Sequence, residues 1–193
     1  MYNTRKIARI VGTLMLAAFF LYGIGSSIAT TASPGVLLAT GTVMMLLNTV
    51  AVIAIGALML PILRPQAPAI AVGYLVTRIF EGAFLAVGAI ALLAGFAGTN
   101  FLAYNIAMAG LGIGSLFLCV ALYRSRLVPR FLAVWGFVGY ASFGAGCFLE
   151  LAGVAGAGLL STVPGGLFEI FFAIWLIARG FRSTAALSMA ARA

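Results

Sequence analysis

An arginine and a glutamate, Arg78 and Glu81, stand close together inside a long apolar stretch of the sequence. A charged side chain at the centre of a bilayer costs about 2.5–3.5 kcal/mol on insertion scales, so it is retained where it is paired or functional. Tyr74, Arg78 and Glu81 follow an i, i+4, i+7 spacing and therefore share one face of a helix. Because Arg78 has five donors and keeps its charge, we expect a carboxylate beside it. Glu81 and Glu169 both qualify as that partner.

The composition is that of a membrane protein. Hydrophobic residues make up 64% of the 193 positions and charged residues 7%, whereas a soluble domain is about half apolar and about a quarter charged. The net charge of +8 does not indicate a nucleic-acid partner, because the basic residues lie in short segments between apolar stretches. The cysteines, Cys119 and Cys147, lie inside apolar stretches without a CxxC spacing, which predicts two buried thiols and no disulfide or metal site.

Six apolar stretches, separated by prolines, glycines and basic residues, predict an all-α fold: a bundle of six transmembrane helices. The helices are predicted at about residues 7–28, 35–60, 68–93, 101–123, 129–151 and 164–181. They form one membrane domain over residues 1–181, followed by a short basic tail at 182–193. Pro164 is predicted to begin the sixth helix after a Gly/Ala-rich loop. The first helix also fits a secretory signal, but its apolar stretch is longer than a usual signal core, which favours retention.

All the lysines and arginines except Arg78 fall on one side of the six predicted spans. They are Arg5, Lys6, Arg9, Arg64, Arg124, Arg126, Arg130, Arg179, Arg182 and Arg192. The positive-inside rule makes this side cytoplasmic, which predicts a multi-pass protein of the bacterial inner membrane with both termini in the cytoplasm. Arg124, Arg126 and Arg130 form a basic hinge between the fourth and fifth helices. The hinge is either a plain topology signal or a site for anionic lipid phosphates.

Polar side chains from several helices are predicted to converge near the middle of the membrane. Counting 1.5 Å per residue from the helix ends places Arg78, Glu81, Glu169, Asn48 and Tyr140 at similar depths, with Tyr22 at the same level. One interpretation is a ligand or ion site; the other is an ionic staple that fixes how the third and sixth helices pack. The candidate site residues are Arg78, Glu81, Glu169, Asn48, Tyr74 and Tyr140.

A short pattern recurs in the two halves of the chain. Ile79-Phe80-Glu81 is followed by Phe84, and Leu167-Phe168-Glu169 is followed by Phe172. The third and sixth helices run in opposite directions through the membrane, so the pattern indicates a 3+3 inverted repeat.

Three stretches resemble a family of bacterial membrane proteins known as domain-of-unknown-function family 4386. They are Gly73-Tyr74 with Arg78 and Glu81, residues 122–130 leading to Trp135-Gly136, and Pro164 with Glu169 followed by residues 175–181. Arg179 stands where the resemblance leads us to expect lysine. The resemblance implies a six-helix inner-membrane protein and supplies no activity, substrate or catalytic residue.

An enzyme is the least favoured class, because the chain lacks histidine and aspartate for a metal or a triad and has no Gly-rich phosphate loop. We predict no catalytic residue, no metal site and no cofactor. The favoured function is binding or transport of a small solute, ion or lipid-like ligand, with Arg78 holding an anionic group and Glu81 or Glu169 carrying a proton. The alternative is an accessory or scaffold membrane protein. The expected partners are the bilayer, anionic headgroups on its cytoplasmic side and, because six helices make a small transporter, a second copy of the chain.

Overall fold

A computed structural model describes residues 3–182, which form six α-helices and no strand. The helices are α1 (Thr4–Thr31), α2 (Val36–Leu63), α3 (Pro68–Leu93), α4 (Ala97–Ser125), α5 (Arg130–Leu151) and α6 (Ala157–Ala178). They contain 22 to 29 residues each. At 1.5 Å per residue they are about 33–44 Å long, enough to cross a hydrocarbon core of about 30 Å. The predicted all-α fold with six membrane-spanning helices is confirmed for the part of the chain described.

The six helices form a closed ring. Each packs chiefly against its neighbours in sequence, and α6 returns to α1. Glycines allow the closest approaches: a Cβ placed on Gly112 of α4 would lie 2.6 Å from the Cα of Gly144 on α5. A Cβ on Gly12 of α1 would lie equally close, 2.6 Å, to the carbonyl oxygen of Ala173 on α6. Small residues therefore set these crossings, as is usual where helices associate in lipid.

The outward face of the ring is apolar. Phe20, Val50, Phe117 and Phe148 are among many large hydrophobic side chains that point away from the bundle and are exposed. A soluble protein rarely exposes so extensive an apolar surface, whereas hydrocarbon solvates it without cost. The surface and the helix lengths together describe a transmembrane bundle.

The basic residues gather at one end of the ring, which we call the basic end. The backbone N–H of Arg182 donates to the carbonyl of Leu127 at 2.9 Å, and Gly180 packs beside Arg5, so the connection after α4 and both outer segments of the described chain lie together. Within residues 3–182 the basic end holds Arg5, Lys6, Arg9, Arg64, Arg124, Arg126, Arg130, Arg179 and Arg182. Arg192 and the rest of the predicted tail from residue 183 onward lie outside the described residues.

The bundle is tightly packed near the basic end. Val11, Leu63, Leu122, Val128 and Leu176 come from different parts of the chain and are almost completely buried there. Burying a leucine or valine side chain is worth about 1.5–3 kcal/mol relative to leaving it exposed in water. In a membrane the gain comes instead from packing against neighbours. This apolar plug closes the ring on its basic side.

The start of the sixth helix was predicted incorrectly. α6 begins at Ala157, not at Pro164, and Pro164 lies inside it. The Glu150 carboxylate accepts the backbone N–H groups of Gly156 at 3.1 Å and Gly158 at 2.8 Å. These are orphan donors of a helix N-terminus, where a negative group is favourable. A carboxylate from α5 thus starts α6 earlier than the local composition indicates.

Other helix ends differ by a few residues from the predicted ones. α2 continues through Pro61 to Leu63, because a proline in the last turn removes one backbone donor without stopping the helix. α1 is longer at both ends, from Thr4 to Thr31, and α4 begins at Ala97 where the turn was expected to continue to Asn100.

Candidate functional site

The face of α3 that carries Tyr74, Arg78 and Glu81 points into the bundle. Arg78 donates from Nε to the Tyr74 hydroxyl at 2.8 Å and from Nη1 to Oε2 of Glu81 at 2.9 Å. Arg78 and Glu81 are each 3% exposed. Gly56 makes room for the arginine, because a Cβ there would lie 2.8 Å from the Cβ of Arg78. The i, i+4, i+7 spacing therefore produces a continuous hydrogen-bonded stripe beside α2.

The two candidate glutamates have different partners. Arg78 and Glu81 form the one ion pair found within residues 3–182, and both belong to α3. Glu169 of α6 accepts instead from the Tyr140 hydroxyl at 2.7 Å. The sequence left two candidate partners for Arg78, and the structure pairs it with Glu81 of its own helix, whereas Glu169 is held by a neutral group on α5. Helix depth placed Glu169 at the right level, but depth says nothing about rotation around the helix axis.

A cavity of about 550 Å³ lies at the centre of the ring, and residues from all six helices line it. Its floor is at mid-depth: Arg78 is about 15 Å from the basic end of α3, at 1.5 Å per residue. The polar residues of the floor are Asn48, Arg78, Glu81, Tyr140 and Glu169. The structure thus brings five of the six candidate site residues to one cavity. The sixth, Tyr74, does not line it but hydrogen-bonds to Arg78.

The cavity opens away from the basic end. Its wall runs from the floor to Ser26 and Thr30 near the end of α1 and to Ala97 and Phe101 at the start of α4. Thr30, Ala97 and Phe101 are exposed, so the wall reaches the surface at this end. The apolar plug closes the opposite side. The cavity therefore has its mouth at the end that lacks basic residues.

An aromatic pair lies between the mouth and the floor. The rings of Tyr22 on α1 and Tyr104 on α4 stack with their centroids 5.4 Å apart and an interplanar angle of 19°. Both residues line the cavity, although α1 and α4 stand on opposite sides of the ring. The stacked pair therefore joins opposite walls of the cavity.

Sequence reasoning missed the contribution of α4 to the cavity. Asn100, Tyr104 and Met108 recur every fourth residue on α4 and line the cavity together. The i, i+4 pair of Asn100 and Tyr104 was a usable signal. It was overlooked because Asn100 was assigned to the turn before the helix, which in the structure begins at Ala97.

The three arginines proposed for lipid phosphates lie at the end of α4, in the connection that follows it and at the start of α5, at the basic end and away from the cavity. Arg126 ends α4 in the left-handed conformation, with a φ of 55°. The guanidinium carbon of Arg130 lies 5.1 Å from the centre of the Tyr123 ring, a cation–π distance. Arg124 is in the last turn of α4, where a cation complements the helix dipole. The cation–π contact of Arg130 joins the two ends of this short connection.

Comparison with known proteins bears out the resemblance over part of the chain. Residues 92–180 match a family described as a domain of unknown function (DUF4386). The match covers α4, α5 and α6, with Tyr104, Tyr140 and Glu169, and leaves out Arg78 and Glu81. Neither the curated proteins nor the solved structures include a match to this chain.

Proposed function

We propose that the chain is a multi-pass protein of the bacterial inner membrane, with both termini cytoplasmic, whose central cavity binds a small solute, ion or lipid-like ligand. The observation that carries the proposal is the cavity itself: about 550 Å³ in volume, with a cluster of charged and polar side chains at its floor. Small-molecule sites are typically apolar pockets of about 300–1,000 Å³ with a few placed polar groups. Ionisable residues at membrane depth mark ligand and ion pathways in the same way.

The geometry of the ion pair argues against the alternative, a scaffold in which the charges staple two helices. Arg78 and Glu81 are on the same helix, so their attraction does not fix how α3 and α6 cross. Glu169 of α6 accepts a hydrogen bond from Tyr140 of α5. These two helices are neighbours in the ring and would pack against each other without that bond. A buried pair rarely gains more than it loses by desolvation. A ligand that binds in the cavity is a better explanation for an ion pair at this position.

Positive-inside topology would place the mouth on the non-cytoplasmic face, because it lies opposite the basic end. Binding from that face requires no further movement. Transport would require the plug around Leu63, Leu122 and Leu176 to open, so the pocket as described corresponds to an outward-facing state of a transporter. All six helices of one chain contribute residues to the lining of the cavity. A homodimer is therefore not needed to form the site, although it remains an expected partner, as do anionic headgroups at Arg124, Arg126 and Arg130.

The proposal can be tested with three probes of similar shape and different charge: tetraphenylphosphonium, triphenylphosphine oxide and tetraphenylborate. The protein in lipid nanodiscs is heated with each probe, and unfolding is followed by tryptophan fluorescence, because a ligand that binds only the native state raises Tm. Empty nanodiscs correct for partitioning of the probe into lipid.

Two tryptophan variants identify binding in the cavity. Gly23 lines the cavity and Gly73 does not, and a Cβ at either position meets no neighbour within 4 Å. We expect at least one probe to raise Tm of the wild type and of Gly73→Trp but not of Gly23→Trp. If none of the three probes raises Tm, or if both variants respond like the wild type, the cavity is not a binding site for small molecules.

A further inference from the structure

We infer that the ligand of the central cavity is a small amphipathic cation and that Glu169 is its counter-ion. The inference rests on the proposed binding function and specifies the chemical class of the ligand. It also reverses the role that the sequence indicated for Arg78, which was to hold an anionic group.

The balance of charge in the cavity is the first argument. Arg78 is already neutralised by Glu81 at 2.9 Å. Glu169 has a hydrogen bond from the uncharged Tyr140 hydroxyl, and residues 3–182 provide it with no ion pair. One guanidinium and two carboxylates leave a formal charge of −1 on the cavity when both acids are ionised. A charge in surroundings of low dielectric acts strongly on whatever enters, so a cation is favoured and an anion is opposed.

Apart from Arg78 and Glu81 of α3, the polar groups that share the cavity with Glu169 carry no charge. The remaining polar side chains of the cavity wall are hydroxyls and amides, which come from α1, α2, α4, α5 and α6. They are Tyr22, Ser26, Thr30, Asn48, Asn100, Tyr104, Tyr140 and Thr162. Arg78 is therefore the one cation among the described residues of the cavity, and it is paired. A cationic ligand would neutralise the formal charge of −1 that remains in the cavity when both acids are ionised.

Aromatic side chains are the second argument. Three helices contribute six aromatic rings to the wall, which are Phe19, Tyr22, Phe101, Tyr104, Tyr140 and Phe143. The open faces of such rings attract cations, and the attraction is stronger where water is excluded. The remainder of the wall is mainly apolar, so it suits an apolar body attached to the charged group. The aromatic rings of the wall and the carboxylate of Glu169 together are suited to binding an organic cation.

The size of the cavity favours an organic cation over an inorganic cation as the ligand. A bound Ca²⁺ needs six to eight oxygen ligands at about 2.3–2.6 Å, and Mg²⁺ needs a tighter octahedron. The carboxylates of Glu81 and Glu169 are each held by another side chain, and the space between the helices is about 550 Å³. A wide, aromatic-lined space with one carboxylate that has no ion pair among residues 3–182 fits an organic cation far better than a metal ion.

Affinities of the three probes for the protein in nanodiscs test the inference, with specific binding defined as the part lost in Gly23→Trp. We expect tetraphenylphosphonium to bind the wild type at least about tenfold more tightly than tetraphenylborate. In Glu169→Gln, affinity for the cation should fall about tenfold or more, while affinity for the neutral triphenylphosphine oxide stays within about twofold. Retained binding of the neutral probe also shows that the variant is folded, since glutamine can still accept from Tyr140.

Glu150→Gln is the matched control, because it removes the same charge from a carboxylate that lies outside the cavity and caps α6. It should leave the preference for the cation unchanged. The inference is overturned if tetraphenylborate binds as tightly as the phosphonium, or if Glu169→Gln leaves the affinity for the cation intact. Either result, obtained while a probe still binds in the cavity, leaves the proposed binding function standing. Absence of binding by all three probes would reject both.

Discussion

Replacing Glu81 by leucine removes the carboxylate that neutralises Arg78 inside the bundle. Arg78 is 3% exposed and would keep the Tyr74 hydroxyl as its hydrogen-bond partner. Removing one member of a buried ion pair costs about 3–5 kcal/mol, because the other charge stays buried without compensation. Arg78→Leu should cost a similar amount, since it strands the Glu81 carboxylate. If the two effects were independent, their sum would be about 6–10 kcal/mol.

The double variant, Arg78→Leu with Glu81→Leu, leaves no buried charge on α3. What remains is the Tyr74 hydroxyl, 3% exposed and deprived of its bond from Nε of Arg78. An unsatisfied buried hydroxyl costs about 1–3 kcal/mol. We therefore expect the double variant to be more stable than either single variant, with a coupling energy of at least about 3 kcal/mol.

The free energy of unfolding can be measured by titrating SDS into the protein in mixed micelles and following tryptophan fluorescence. Val76→Leu is the control, because this side chain is on the same helix and points outward. It should change stability by less than about 0.5 kcal/mol. A double variant whose loss equals the sum of the two single losses would refute the reasoning, because Arg78 would then depend on a partner other than Glu81.

Three further predictions concern the fold. Glu150→Ala should destabilise the protein by about 0.5–2 kcal/mol and speed hydrogen exchange at the start of α6, while Glu150→Gln should retain much of the cap. Gly112→Ala should cost about 1–3 kcal/mol, because its Cβ would meet α5, whereas Gly98→Ala on the same helix meets nothing within 4 Å and should be neutral or stabilising. A fluorescent-protein fusion at the C-terminus should fluoresce and an alkaline-phosphatase fusion there should be inactive, and the opposite pair of results would reverse the proposed topology.

Features that depend on local pattern were predictable from the sequence. The apolar lengths specified six helices, and the spacing of Tyr74, Arg78 and Glu81 specified one inward face of α3. Depth counting brought Glu169 to the level of Arg78, because the rise per residue is constant. These predictions need only helix geometry and the cost of charge in hydrocarbon.

Features that depend on contacts between helices were not predictable. The start of α6 is set by the Glu150 carboxylate, which accepts a hydrogen bond from the backbone N–H of Gly158. The two residues are eight positions apart in the sequence. Pairing of Glu169 with Tyr140 depends on helix rotation. The 3+3 inverted repeat stays a prediction: Glu81 and Glu169 both line the cavity, but the preceding residues differ, since Phe80 is exposed and Phe168 is buried.

Access of water to the depth of Glu169 is the property on which the account depends most directly. It can be measured with Glu169→Cys in a background where Cys119 and Cys147 are alanine, using a membrane-impermeant cationic thiosulfonate added to the non-cytoplasmic face of intact cells. Ile174→Cys is the control, because Ile174 is exposed on the outer face of the same helix and would lie in hydrocarbon. The account predicts that Glu169→Cys reacts from this face, that Ile174→Cys does not, and that the neutral probe triphenylphosphine oxide slows the reaction. Failure of Glu169→Cys to react, or reaction only from the cytoplasmic face, would contradict it.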